Sequence, residues 1–180
     1  MKIPKTAKKV FSGIICDVYQ WEQKVFDGSF QTFEMLKRPD TVNVIPINDR
    51  GEVILAREQQ PGKIETIGCL GGRVEKGEKP LEAARRELLE EAGISASKYK
   101  LWFTYRPSEK MAWTIYVYIA RDLSYADNPQ LDPGEKISKA IYSFDDFIDR
   151  IISLEDFRDQ EVATKIMREG KAKVKAFFSF

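Results

Sequence analysis

The sequence contains no histidine. Histidine is therefore excluded as a general base, a metal ligand or a phosphoryl carrier, and any acid–base chemistry must use carboxylates, lysine, tyrosine or water. Only two cysteines are present, Cys16 and Cys69, which are too few for a disulfide framework and lack the companions that a zinc site needs. We expect both cysteines to be reduced and buried.

A strong net charge and a long apolar run are also missing. The formal net charge is +1, so no global basic field favours nucleic acid as a partner. The basic stretch MKIPKTAKKVFSG lacks the apolar core of a signal peptide, and no later segment is apolar enough to span a membrane. We expect a cytoplasmic protein without membrane attachment, and a length of 180 residues favours one domain.

Strand-like segments lie on both sides of one clear helix. Before residue 60, turn residues at Asp27-Gly28 and at 48–51 predict two hairpins. Further strands are predicted at 100–106 and 112–123, and the stretch 145–170 is predicted to be helical in one or two pieces. This order indicates an α/β class, layered around a mixed sheet.

The helix is predicted over KPLEAARRELLEEAG. Pro80 suits its first turn and Gly93 its C-terminal cap, and strong helix formers lie between them. Leu81, Ala84 and Leu88 fall on one apolar stripe that would pack against the sheet.

Three carboxylates crowd this helix at Glu87, Glu90 and Glu91. At about 100° per residue they share a face roughly 100° wide, and like charges so close together repel. Grouped carboxylates are what Mg²⁺ or Mn²⁺ requires, and magnesium leaves further positions to water and to phosphate oxygens of a substrate. The pattern therefore favours a metal site with a phosphate-bearing substrate, while a solvated glutamate-rich surface stays open as the alternative.

The loop before the helix is compatible with such a site. Gly71 and Gly72 let the backbone approach a ligand closely, and a carbonyl near Gly71 could join the coordination shell. Glu78 and Arg86 lie at positions that allow an ion pair between loop and helix. Alternatively, Arg86 binds a substrate phosphate.

The spacing of these residues resembles the Nudix box, glycine-x5-glutamate-x7-arginine-glutamate-U-x-glutamate-glutamate-x-glycine-U, where U is a bulky aliphatic residue. Its nine fixed positions are filled by Gly72, Glu78, Arg86, Glu87, Leu88, Glu90, Glu91, Gly93 and Ile94. The resemblance implies an α/β/α sandwich and a hydrolase that acts on nucleoside diphosphates linked to another moiety. It also implies that Glu87 and Glu91 are the principal ligands of Mg²⁺ or Mn²⁺, with Glu90 close by and a carbonyl near Gly71 contributing.

Outside the box, the chain is similar to the ADP-ribose pyrophosphatase branch over roughly residues 26–165. The segments that carry this likeness are FDGSFQTFEMLKRPDTVNVIPI, ILAREQQPGKIE, YRPSEK and LDPGEKISKAIYSFDDF. By this resemblance, residues 1–40 form an antiparallel β region that pairs in a homodimer, 41–170 form the hydrolase domain, and 171–180 are a basic, aromatic tail. We expect that tail to be a frayed terminus whose aromatic residues pack locally.

Further site residues follow from the same branch. Glu135 becomes a candidate for orienting or deprotonating the attacking water, with Glu90 as the second choice, while Glu135 on an exposed turn would be solvated surface. Arg57 and Arg106 are candidates for binding phosphates, although each could equally form a surface ion pair. Two segments depart from the branch: Cys69-Leu70-Gly71-Gly72 replaces leucine-proline-alanine-glycine, and Arg106-Pro107-Ser108 replaces serine-proline-glycine.

The function expected from the sequence is Mg²⁺-dependent hydrolysis of a pyrophosphate linkage, with ADP-ribose or a related nucleotide sugar as substrate. Alternative substrates are nucleoside triphosphates, dinucleoside polyphosphates, NADH and capped RNA. A Nudix-like nucleotide sensor without turnover is the alternative from another class. Aromatic residues such as Trp102, Tyr105 and Trp113 are candidates for stacking on a base, although most aromatic residues are expected in the core.

Overall fold

The computed structural model describes residues 2–126, 134 and 136–180, and within them the chain forms ten strands and four α-helices. In chain order these are β1 (Lys8–Ser12), β2 (Asp17–Lys24), β3 (Phe30–Lys37), β4 (Thr41–Pro46), β5 (Val53–Gln59), β6 (Thr66–Gly68), α1 (Pro80–Ala92), β7 (Ile94–Tyr105), β8 (Met111–Ala112), β9 (Ile115–Tyr125), β10 (Lys136–Tyr142), α2 (Phe144–Asp149), a 3₁₀ turn (Ile151–Ser153), α3 (Gln160–Glu169) and α4 (Lys171–Phe178).

The strands form three sheets, in the orders β1-β2-β3-β8, β10-β5-β6 and β4-β9-β7. The last is mixed, because β9 runs parallel to β4 and antiparallel to β7. The turn at Asp27-Gly28 joins β2 and β3 in a hairpin, as predicted. The second predicted hairpin is wrong: the chain turns at 48–51, but after one bridge between Ile47 and Val53 the strands β4 and β5 enter different sheets. Pro46, which has no N–H to donate, ends β4 just before this turn.

Two hydrophobic cores lie on opposite faces of the central strands. Along β5, Ile54 and Ala56 face one core, while Val53 and Leu55 face the other, as expected for side chains that alternate across a strand. Helix α1 covers the first core, and α2, α3 and α4 cover the second. The predicted α/β/α sandwich is thereby confirmed.

The segment 171–180 differs from its prediction. Instead of a frayed terminus, it contains α4, and the side chains of Val174 and Phe178 are fully buried in the second core. These two residues lie four positions apart, so they share one face of the helix. The ring of Phe178 meets Trp102 edge-on, with ring centroids 5.0 Å apart. The apolar face of α4 therefore anchors the segment.

The cysteines follow the expectation only in part. Both are free thiols, but Cys16 is partly exposed and only Cys69 is buried. Burial raises the pKa of the Cys69 thiol well above its usual value, so this thiol stays protonated.

The helices are short. The longest, α1, has 13 residues. None of the helices in the described part of the chain is long and apolar enough to cross a membrane.

Candidate active site

Helix α1 is fixed at both ends. At its start, the Lys79 N–H donates to the side chain of Glu82 over 3.1 Å. At its end, Gly93 adopts the left-handed conformation with a φ of 62°, and Lys139 of β10 donates to the Ala92 carbonyl over 2.9 Å. The buried face includes Ala84 and Leu88, so the helix presents its glutamates beside the sheet in one orientation.

The three box carboxylates line a single cleft of about 1520 Å³. Glu87, Glu90 and Glu91 line its wall together with Gly71 and Gly72 of the preceding loop. The structure thus brings together the five residues that the sequence analysis assigned to metal binding or to close approach of the substrate.

Arg86 connects the loop to the helix. Its guanidinium donates from Nε and Nη2 to the two carboxylate oxygens of Glu78, over 3.0 and 3.1 Å, and forms the ion pair predicted from the sequence. It also donates from Nη1 to Glu87 and Glu90, over 2.8 and 2.9 Å, and from Nη2 to the Arg73 carbonyl over 2.8 Å. One cation therefore holds two cleft carboxylates and the loop in a fixed arrangement.

Glu78 and Arg86 also stabilise each other in their charged forms. The hydrogen bond from Arg86 lowers the pKa of Glu78 below its usual value. The pKa of Arg86 is raised, chiefly by Glu78, against the opposing effect of burial. Glu78 does not line the cleft itself, so its contribution is to hold Arg86.

The two glycines are required for two different reasons. A side chain on Gly71 would collide with the backbone carbonyl of Val42, and the residue has a φ of +138°. A Cβ on Gly72 would lie 2.5 Å from Oε1 of Glu87. The Gly71 N–H donates to Oε2 of Glu91 over 2.7 Å, and the Gly72 carbonyl accepts from the Val42 N–H over 2.9 Å. The loop is therefore bound both to α1 and to β4.

The donors in the cleft are suited to a hard divalent cation. Within the residues that the structure describes, no group of three or more acidic side chains is already arranged around a common point. Arg86 spans two of the three carboxylates, and Glu91 accepts from Gly71. Because magnesium is usually held by one or two carboxylates, with water and substrate phosphates completing the shell, an open arrangement of Glu87, Glu90 and Glu91 fits it.

A cationic and aromatic wall lines the same cleft near β4. Arg38 lies over the Trp113 ring, 4.1 Å from its centroid, and the Trp113 indole donates to Thr41 over 3.2 Å. Burial lowers the pKa of Arg38, and the positive charge of Arg73 lowers it further. Nε of Arg38 is buried and has no hydrogen-bond partner among the described residues. Arg38 and Arg73 thus offer positive charge to an anionic ligand in the cleft.

A second polar group in the cleft comes from the segment before α3. Arg158 pairs with Glu58, which is 7% exposed, and donates to the Cys69 carbonyl over 2.7 Å. Asp159 accepts from the Cys69 N–H over 2.6 Å and from the Asn43 side chain over 2.7 Å. All of these residues except Cys69 line the cleft.

Two predicted site residues, Arg57 and Arg106, do not line the cleft. Arg57 pairs with Glu65 over 3.2 Å and donates to the Tyr142 hydroxyl over 3.1 Å, and it is absent from the described residues of the cleft wall. Arg106 is exposed and is likewise absent from that wall, although Tyr105 beside it is present. Glu135 lies outside the described residues.

Sequence reasoning missed three of the arginines that line the cleft, Arg38, Arg73 and Arg158. Arg38 stands in the segment FDGSFQTFEMLKRPDTVNVIPI, which carried part of the branch resemblance, so a signal for it was available. Arg73 follows the first glycine of the box directly, but this position is variable in the motif. Arg158 had no local signal, because it reaches the cleft through the pairing of its segment with Ile67, which is distant in the sequence.

Comparison with known proteins agrees with this geometry. The family model of the NUDIX domain matches residues 37–166. The chain belongs to the Nudix family. It is 28% identical over 151 residues to the ADP-ribose pyrophosphatase of Bacillus subtilis (strain 168), and this alignment covers 82% of each chain. It is 26% identical over 152 residues to the methanol dehydrogenase activator of Bacillus methanolicus, again with 82% of each covered.

The fold of this Nudix hydrolase also has a solved counterpart. The crystal structure of an ADP compounds hydrolase superposes with a TM-score of 0.72 at 22% identity, covering 92% of this chain and 91% of that one. The likeness supports the sandwich architecture. The membership in the family and the hydrolase class that the box indicated are confirmed.

Proposed function

We propose that this Nudix hydrolase cleaves the pyrophosphate linkage of a nucleoside diphosphate derivative in the presence of Mg²⁺ or Mn²⁺. ADP-ribose is the favoured substrate, and AMP and ribose 5-phosphate are its products. The observation that carries the proposal is that one cleft contains both the box carboxylates and a separate pair of arginines, Arg38 and Arg73. The relative from Bacillus subtilis, named an ADP-ribose pyrophosphatase, supports the choice of substrate.

Glu87, Glu90 and Glu91 would hold the metal. A bound divalent cation neutralises phosphate charge and lowers the pKa of a coordinated water towards neutrality, so that a carboxylate can serve as the base without histidine. Arg86 keeps Glu87 and Glu90 in place through its hydrogen bonds.

The other residues bind and orient the substrate. Arg38 and Arg73 place positive charge where the diphosphate would lie, and Trp113 and Tyr105 offer aromatic surface in the same cleft. One water molecule adds to a phosphorus atom as the bridging oxygen leaves, and the proton of the water passes to a carboxylate. Glu135 is our first choice for that base. Glu90 is the second, because 41% of its side chain is exposed whereas only 12% of the Glu87 side chain is.

A product-resolved chromatographic assay tests the proposal. The panel contains ADP-ribose, GDP-mannose, NADH, a dinucleoside tetraphosphate, capped RNA and the common triphosphates, each with Mg²⁺ and with Mn²⁺. We expect conversion of ADP-ribose to AMP and ribose 5-phosphate. Faster turnover of triphosphates or of another member of the panel would change the proposed substrate and leave the metal assignment on α1 intact. Nucleotide binding without turnover of any member would favour a sensor.

We also infer that the protein is a homodimer joined through its N-terminal β region. Large apolar side chains are exposed on or beside β1, β2 and β3, including Phe11 at 58%, Ile14 at 93% and Phe30 at 64%. An isolated subunit would leave this apolar surface in water. Sedimentation at micromolar concentration tests the inference, and a monomer there would refute it. A cytoplasmic location and the boundaries 1–40, 41–170 and 171–180 stay predictions.

A further inference from the structure

We propose that Arg158 and Asp159 are positioning residues of the active site, which hold the glycine loop in place by clamping the peptide groups of Cys69. The proposal rests on the proposed function, because it assigns these residues a role in metal binding and turnover. Neither residue belongs to the Nudix box.

The backbone brings the segment 156–159 alongside β6. The Ile67 N–H donates to the Asp156 carbonyl over 2.9 Å, and the Arg158 N–H donates to the Ile67 carbonyl over 2.8 Å. A parallel bridge pairs Ile67 with Phe157. The segment therefore extends the sheet beside β6 and delivers two charged side chains to the residue that follows this strand.

That residue is Cys69, and both of its peptide groups are engaged. Its N–H donates to Oδ2 of Asp159 over 2.6 Å, and its carbonyl accepts from Nη2 of Arg158 over 2.7 Å. Charge-assisted hydrogen bonds of this kind are stronger than neutral ones. The two side chains therefore fix the Cys69 backbone from one side.

Both residues of the clamp are braced by further polar partners. Asp159 is 9% exposed and also accepts from the side chain of Asn43 on β4 over 2.7 Å. Glu58 pairs with Arg158 and accepts from Gln60 over 2.7 Å. Buried polar groups satisfied on several sides select one arrangement, because breaking any contact leaves a costly unpaired group.

The use of the Asp159 side chain is an independent indication of this role. Asp159 occupies the N-cap position of α3, where an aspartate ordinarily accepts from the first backbone N–H groups of its own helix. Here the side chain makes no such cap. Its two oxygens are directed to Cys69 and Asn43 instead.

The clamp connects to the proposed metal ligands through a short stretch of backbone. Two residues after Cys69, the Gly71 N–H donates to Glu91 over 2.7 Å. The intervening Leu70 carbonyl accepts from the Val44 N–H over 2.7 Å. A displacement of Cys69 would therefore also move Gly71, whose N–H is the hydrogen-bond partner of Glu91. Arg158 and Asp159 act through this loop and need not touch the reacting atoms.

Two substitutions test the clamp against two matched controls. Asp159→Asn removes the charge and one acceptor oxygen, so the new NH₂ group must face either the Cys69 N–H or the Asn43 amide. Arg158→Gln removes the hydrogen bond to the Cys69 carbonyl. Glu155→Gln, just before the segment, and Arg168→Gln, on α3, make the same charge changes at exposed positions. Arg158→Lys keeps the charge of the partly exposed side chain and is the conservative variant.

Three measurements are made on each full-length variant. They are hydrogen exchange of the peptide that covers residues 66–72, titration of the protein with Mn²⁺ alone followed by electron paramagnetic resonance, and the separate kcat and KM for ADP-ribose. We expect both clamp variants to exchange faster in 66–72, to bind Mn²⁺ about 10–100-fold more weakly and to lose kcat by a similar factor, as outer residues of metal sites do. KM at saturating metal should change less than kcat, and the controls should match the wild type.

Unchanged exchange, Mn²⁺ affinity and kcat in Arg158→Gln would overturn the proposal, even if Asp159→Asn failed to fold. Partial recovery of kcat in Arg158→Lys supports a positioning role. A wild-type protein that neither binds Mn²⁺ nor turns over any substrate would refute the proposed function. In that case, exchange in 66–72 still decides whether the clamp holds the loop.

Discussion

The Glu87 carboxylate occupies the space that a side chain on Gly72 would need, 2.5 Å from the position of the missing Cβ. The glycine that opens the Nudix box therefore leaves space for the carboxylate of one of the box glutamates, Glu87. The obstacle is the end of a side chain and not backbone, so it can be displaced, at the cost of its hydrogen bond to Arg86.

Gly72→Ala should consequently separate activity from stability. We expect a large loss of kcat, because the new methyl group displaces Glu87, and a smaller loss of unfolding free energy than in Gly71→Ala, because only side-chain contacts are broken. Steady-state kinetics and urea denaturation measure the two quantities. Wild-type kcat in a folded variant would show that the position of Glu87 is unimportant.

Gly71→Ala should behave differently. Its methyl group would meet the backbone of Val42, and its φ of +138° disfavours any L side chain, so both stability and activity should fall. Gly28, with a φ of +88° and open space around it, is the matched control. Gly28→Ala should cost about 1–2 kcal/mol from its backbone conformation alone. If Gly71→Ala costs no more than this in urea denaturation, the close approach to β4 is not a constraint.

The metal assignment predicts the effect of removing single charges from α1. Glu87→Gln and Glu91→Gln should each lower turnover by orders of magnitude and weaken Mn²⁺ binding, while the circular dichroism spectrum stays unchanged. Glu82→Gln is the control on the same helix, because a glutamine can still accept from the Lys79 N–H. Near-full activity in both cleft variants would end the assignment.

The ion pair between Arg86 and Glu78 should show energetic coupling. Their side chains are 27% and 15% exposed and meet in a bidentate arrangement. A double-mutant cycle with Glu78→Gln and Arg86→Gln should give a coupling free energy of about 0.5–3 kcal/mol. The cycle is measured by urea denaturation, and additive effects of the two substitutions would contradict the contact.

Glu169 should make stability depend on pH. Burial alone would raise its pKa, but hydrogen bonds from Lys165, Trp102 and Lys173 more than offset this and hold the pKa below its usual value of 4.5. A carboxylate whose pKa is lower in the folded state stabilises the fold above its unfolded pKa, and this contribution is lost as the pH falls through the folded pKa. The difference in unfolding free energy between wild type and Glu169→Gln should therefore be largest near neutrality and shrink below pH 4.5. If the difference between the two proteins stayed constant with pH, the contribution assigned to the Glu169 carboxylate would be refuted.

The role of α4 in the core can be measured at Phe178. Phe178→Ala should lower the free energy of unfolding by about 3–5 kcal/mol, because the side chain is almost fully buried. Met167→Ala, on the neighbouring helix and 71% exposed, is the control. Similar small effects of both substitutions would mean that the terminal helix is not part of the core.

The sequence predicted the part of the site that lies within one local segment. Gly71 to Glu91 form a loop and a helix whose spacing alone brings Glu87, Glu90 and Arg86 together, so their arrangement follows from helical geometry. Arg158 lies far along the chain from Cys69, and nothing local to either residue predicts that they meet. For the same reason β4 and β5 were predicted as a hairpin, since their pairing with β9 and β10 depends on distant strands.

The participation of Phe178 in the same core as Ile45 has a consequence during protein synthesis. The first strands of that core leave the ribosome long before residue 178 has been made. Until then their apolar faces lack a covering layer, and the cleft lacks the segment that carries Arg158. The sheet therefore stays half covered, and the cleft incomplete, until the C-terminal part of the chain has emerged.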